Sequence, residues 1–82
     1  MNISVEISMY PLTKEYETPI LTFIEQLQQH PNLKIITNTM STQIFGEYEA
    51  VMDALTPEIR TIFMAEPTTI MVMKIINADL IP

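Results

Sequence analysis

The hydrophobic period of this 82-residue chain switches repeatedly between two and about 3.6 residues, and the order of those switches most limits its fold. Ile3, Val5, Ile7 and Met9 alternate with Asn2, Ser4, Glu6, Ser8 and Tyr10, the pattern of a strand with one apolar face, which Pro11 ends. A polar loop, Thr13 to Glu17, leads to Thr18 and Pro19, a hydroxyl for an N-cap followed by a ring preset for the first helical position. Ile20, Phe23, Ile24 and Leu27 then recur at helical spacing until Pro31 limits the helix. Leu33 to Thr37 and Ser41 to Phe45 read as two short strands joined by Asn38, Thr39 and Met40, with Gly46 stopping the second. Helical phase returns in Tyr48, Met52, Leu55, Ile59 and Ile62. Pro57 lies inside that stretch and predicts a kink or two helical pieces. Pro67 closes it, and Thr69 to Ile76 is a last strand.

The order β-α-β-β-α-β with right-handed crossovers places both helices on one face of a four-stranded antiparallel sheet. The fold class is therefore α+β, a ferredoxin-like sandwich, as one domain over residues 1–82 with the first and third strands central. With the odd positions of the first strand on the helices, Ser4, Glu6, Ser8 and Tyr10 line the open sheet face. The last strand is apolar on both sides, with Ile70, Val72 and Ile76 on one and Met71, Met73 and Ile75 on the other. Such a strand predicts burial against a second copy, by sheet packing or edge pairing. Chain length points the same way, because a domain this small buries only roughly 60% of its unfolded surface. There is no cysteine to staple it, so a homo-oligomer is expected.

Charge removes other classes. The net charge is −6, and Lys14, Lys34, Arg60 and Lys74 are scattered singly, so no basic track exists for nucleic acid. No apolar run is long enough for membrane insertion, and the opening residues alternate instead of forming a signal sequence. The expected setting is cytoplasmic.

Polar groups able to hold a ligand concentrate in Thr37 to Gly46. That stretch, with the first strand running into Tyr10-Pro11-Leu12 and the helix after Gly46-Glu47, resembles the YkoF-like thiamine-binding protein family. The resembling hairpin reads as a polar turn, a threonine, an apolar pair and a glycine followed by an acid. The loop after Pro11 departs from the family pattern, with Thr13 and Lys14 where a glycine is usual, so the resemblance assigns no contact there. The resemblance implies a small ferredoxin-like domain, assembled as a dimer or tetramer, that binds thiamine or its hydroxymethylpyrimidine part and needs no cofactor.

Thiamine offers an aminopyrimidine that wants in-plane donors and acceptors, and a cationic thiazolium that wants a carboxylate or an aromatic face. Asn38 supplies donor and acceptor, Ser8, Thr37, Ser41 and Thr42 supply hydroxyls, Glu6 supplies negative charge, and Tyr10 and Met40 supply wall. Tyr16, Phe45 and Tyr48 are further aromatic candidates. Each has a plainer reading as well. Asn38 and Thr39 suit any turn, and a threonine suits any strand. Glu6, in a central strand facing a covered surface, needs a partner, and Lys34, Lys74 or a backbone amide across a subunit boundary would serve. By strand parity Ser41 and Thr42 point to opposite faces, so at most one shares a pocket with Glu6.

His30 before Pro31 suits a helix C-terminus and has no metal-binding companions. Glu47, Glu49 and Asp53 complement the dipole of the second helix, and the methionines suit an adaptable core or interface. No phosphate-binding loop, cysteine nucleophile or triad is present, so a non-catalytic binding protein is expected. The alternatives are a ferredoxin-like oligomer with no vitamin ligand, or a small cofactor-free enzyme of the dimeric α/β-barrel type with His30 or Glu6 as base.

Overall fold

The computed structural model describes residues 1–82. Its elements are β1 (Asn2–Pro11), α1 (Glu17–Gln28), β2 (Lys34–Thr37), β3 (Thr42–Glu47), α2 (Tyr48–Ala65) and β4 (Thr69–Ile76). All strands pair antiparallel in the order β2-β3-β1-β4, which puts β1 and β3 at the centre as expected. This is the ferredoxin-like α+β arrangement.

Alternation in β1 sets the core. Ile3, Val5 and Ile7 point to the helices and are at most 2% exposed, joined by Ile44 from β3, Phe23 and Leu27 from α1, and Val51, Leu55 and Ile62 from α2. Burying each such side chain stabilises the fold by roughly 1.5–3 kcal/mol before the entropy of ordering is set against it.

Local details differ from the sequence expectations in instructive ways. The first helix begins at Glu17, with Tyr16 at the N-cap and no side-chain capping bond, so Thr18 is not the cap. Thr18 and Pro19 sit in the first turn, where a missing N–H costs nothing because those donors have no intrahelical partner. Pro57 neither ends nor divides α2, which runs unbroken from Tyr48 to Ala65. The carbonyl deprived of its donor belongs to Asp53, an exposed residue that water can serve.

Gly46 does not stop β3 either, since it pairs with Ile3 inside the ladder. Its role is close approach: a Cβ there would lie 2.9 Å from Leu33 Cδ2 and 3.3 Å from both the Asn32 carbonyl oxygen and Val51 Cγ2. Leu33 can swing away, but the Asn32 backbone and the fully buried Val51 cannot easily move. Gly46→Ala is therefore expected to lower stability by about 1–2 kcal/mol in urea denaturation. A midpoint equal to or above that of the parent chain would refute the packing role.

The open sheet face is partly covered by the chain itself. The Ser4 hydroxyl donates to the Ala78 carbonyl at 2.7 Å and accepts from the Leu80 N–H at 2.9 Å, strapping the C-terminal tail across the sheet. Ser4 and Phe45, opposite each other in register, are each only 6% exposed. Ser4 therefore does not lie open, and Phe45 is not a ligand wall. By contrast β4 is uncovered on both sides, with Ile70, Val72, Met73, Ile75 and Ile76 between 40% and 51% exposed. No helix is long and apolar enough to cross a membrane.

Candidate functional site

The centre of the sheet is incomplete at one end. The β1–β3 ladder stops at Ile7 opposite Thr42, while β1 continues to Pro11 paired only with β4. Ser8 to Tyr10 therefore face the turn Asn38 to Ser41 with no strand between them. The only side-chain link across is a bond at the limit of length, 3.5 Å, from the Ser8 hydroxyl to the Met40 carbonyl. Two concavities flank this place, one on the helix side and one on the open face, and Tyr10 and residues 38–41 border both.

Asn38 builds the turn. Its Oδ1 accepts from the backbone N–H of Met40 at 2.7 Å and of Ser41 at 2.9 Å, and its own N–H donates to the Ser41 carbonyl at 3.1 Å. This Asx turn holds the loop and takes up the amide oxygen, leaving the side-chain NH2 for another acceptor.

On the helix side the cleft measures about 520 Å³, within the range of small-molecule sites. Met9, Leu12, Tyr16, Ile20 and Phe23 give it apolar and aromatic walls, and the turn gives it a polar edge. Thr42 lines it and is only 6% exposed. Its hydroxyl has no hydrogen bond within the chain, yet no polar side-chain atom is sealed off without a partner, so that hydroxyl opens onto the cleft.

The open-face groove is more polar and of similar size, about 500 Å³. Glu6 stands in it, accepting from the Ser41 hydroxyl at 2.9 Å through Oε2 and lying 3.4 Å from Lys74 Nζ through Oε1. Lys74 is the direct cross-strand neighbour of Glu6 in the β1–β4 register. With side chains 37% and 82% exposed, that ion pair is screened and contributes about 0–1 kcal/mol.

Glu6, Ser8, Tyr10, Asn38, Met40 and Ser41 are thus gathered around the open-face groove. Thr42 points the other way into the cleft, which answers the parity question: Ser41 is the hydroxyl that joins Glu6. Thr37 is exposed and borders neither concavity, so it falls outside the candidate site. Tyr16 lines the cleft, whereas Tyr48 opens α2 and borders none of these surfaces. Sequence reasoning missed the cleft walls from α1, and it placed the Lys74 partnership between subunits when it lies within one chain. The alternation of β1 and β4 held a trace of the Lys74 contact, but only their register places it opposite Glu6.

His30 binds Glu58 at 3.2 Å, a tie between the end of α1 and α2 rather than a site. No group of three or more potential metal ligands occurs. At the start of α2, a hydrogen bond between the Glu47 and Glu49 carboxyls raises the pKa of Glu47 and lowers that of Glu49, on an exposed surface with no cavity.

No protein-family model matches the sequence, and no curated protein is similar to it. The fold is shared with solved structures of low sequence identity. A Streptococcus pneumoniae protein superposes with a TM-score of 0.87 at 18% identity, over 98% of this chain and 90% of its own. A Thermotoga maritima protein with a provisional role in thiamine biosynthesis or salvage matches with a TM-score of 0.80 at 19% identity, over 92% of this chain and 82% of its own. A Bacillus cereus domain of unknown function, DUF77, matches with a TM-score of 0.78 at 20% identity, covering 98% and 79% of the two chains.

Proposed function

We propose that this chain is a non-catalytic binding protein for thiamine or its hydroxymethylpyrimidine part, held in the cleft between α1 and the Asn38–Ser41 turn. The observation that carries the reading is Thr42, a nearly buried hydroxyl opening into a largely apolar, aromatic-walled cavity. A flat ring with edge donors and acceptors satisfies such a site: its faces stack on Tyr10 or Tyr16, and its edge meets Thr42 and the Asn38 amide. The provisional thiamine role of the T. maritima protein is consistent with this ligand class. The resemblance of residues 37–47 to the YkoF-like family supports the same choice.

Calorimetric titration of thiamine and of hydroxymethylpyrimidine tests it. Saturable heat is expected with at least one of them, and no heat at millimolar ligand would sink the proposal. Thr42→Val keeps shape while removing the hydroxyl, so affinity is expected to fall by about 5- to 15-fold, the worth of one hydrogen bond of roughly 1–1.5 kcal/mol. Thermal stability should hold or rise, because no intrachain bond is lost. An unchanged affinity would remove Thr42 from the site.

The same reading includes assembly. β4 leaves one backbone edge unpaired and apolar side chains exposed on both faces, a combination that monomers ordinarily guard with charge or cover. A second copy is the simplest cover.

A further inference from the structure

We infer that the cleft and the open-face groove are two compartments of one site, with Glu6 selecting the cationic half of a bipartite ligand. This rests on the reading of the cleft given above and extends it across the sheet. The two concavities share Tyr10 and the whole turn, and the β1–β3 ladder that would separate them ends at Ile7 opposite Thr42. Beyond that point two side-chain bonds join β1 to the turn, an exposed 3.5 Å contact from the Ser8 hydroxyl to the Met40 carbonyl and the bond from the Ser41 hydroxyl to Glu6 on the open face.

The two sides differ in chemistry. The cleft is apolar with a buried hydroxyl, fit for a neutral ring. The groove holds a carboxylate whose Oε2 is set by the Ser41 hydroxyl at 2.9 Å and whose Oε1 faces only an exposed ammonium, Lys74 Nζ, at 3.4 Å. Lys74 is 82% exposed and screened, so it holds Glu6 weakly and can turn into solvent when another cation arrives. Glu6 is thereby oriented, with Lys74 as a displaceable substitute for the ligand's positive ring. A ligand with a neutral ring and a cationic ring joined by a short bridge spans both compartments around Tyr10. A neutral single ring fills only the cleft.

Calorimetry with thiamine, which carries the cation, and hydroxymethylpyrimidine, which does not, separates the halves. The parent chain is expected to bind thiamine more tightly. Glu6→Gln should weaken thiamine by about tenfold, the scale of one charge-assisted contact, and leave hydroxymethylpyrimidine within about twofold. Lys74→Met should tighten thiamine by about twofold to fivefold and leave the single ring unaffected, because a weak competitor is gone. It provides an independent reading if Glu6→Gln folds poorly. Heat from both ligands with no differential effect of either variant would overturn the two-compartment site while leaving the cleft intact. No heat from either ligand in the parent chain would overturn both readings together.

Discussion

Ile44→Ala is expected to lower the urea midpoint of unfolding by roughly 2 M, leaving a chain that is substantially unfolded at physiological temperature. Ile44 is fully buried in β3, flanked in register by Val5 of β1 and Ile35 of β2, so its side chain lies where the two central strands meet the helices. Removing three carbons there leaves a cavity that the ladders on both sides prevent from collapsing, and such truncations cost about 2–5 kcal/mol. A domain of this length has only about 4–12 kcal/mol in total, so one residue removes a large share. Circular dichroism in urea checks it, and a midpoint shifted by less than about 0.5 M would show that the core is not organised around β3. Ile36→Ala, a half-buried neighbour on the other face of β2, should shift it much less.

The contrast between Ile44 and Ile36 follows from strand parity, and parity is the part of this structure most legible in the chain. Alternation in residues 2–10 assigned Ile3, Val5 and Ile7 to the core and Glu6, Ser8 and Tyr10 to the other face, and the structure agrees. β4 spans Thr69 to Ile76, the stretch the sequence marks as a last strand. Terminal details were less legible because the energies that set them are small. A threonine cap contributes about 1 kcal/mol, and in α1 the chain starts the helix at Glu17 instead, one residue ahead of Thr18. Gly46 read locally as a stop signal, while its cause is three-dimensional: Leu33, the Asn32 backbone and Val51 occupy the space a side chain would need.

The site was legible in its pieces but not in its assembly. Residues 38–41 announced a turn by composition, and Asn38 does hold it through two backbone bonds. The cavity beneath the turn depends on where α1 crosses the sheet, and no local pattern specifies that. The Glu6–Lys74 contact depends on the register of strands 68 residues apart in the chain, set by core packing along the whole of β1. Ser4 shows the same limit. Its parity placed it on the open face, yet the tail residues Ala78 and Leu80 close over it. Fold similarity adds nothing at this level, since proteins with this architecture share backbone layout and not side chains.

That covering tail sharpens the last expected result, which concerns the remaining exposed surface. Val72→Lys and Ile75→Lys should each reduce an assembled form to single-chain mass, to different extents according to how copies meet. Val72 shares the open face with Ser8, its register partner, whereas Ile75 is on the helix side opposite Val5. Both are about half exposed, so a lysine at either position leaves the monomer core intact. Face-to-face packing of two sheets would bury Val72 beside the part of the face that the tail leaves free. A lysine there is expected to weaken association by about 2–5 kcal/mol, roughly 30-fold or more in dissociation constant. Pairing of two β4 edges into a continuous sheet would instead place Ile75 under the partner's helices, and the second variant would then have the larger effect. Light scattering over a concentration series reads both outcomes. A parent chain that stays at single-chain mass at hundreds of micromolar, or two variants that keep the parent's mass, would count against assembly through β4. Charge on this strand already shows which side tolerates it. Lys74, its one ionic residue, lies on the open face between Val72 and Ile76, where it has Glu6 as a cross-strand partner at 3.4 Å. A second lysine at position 72 would have no such partner, and that is why, under face-to-face packing, the open-face variant is expected to dissociate copies even though a lysine already sits two residues away.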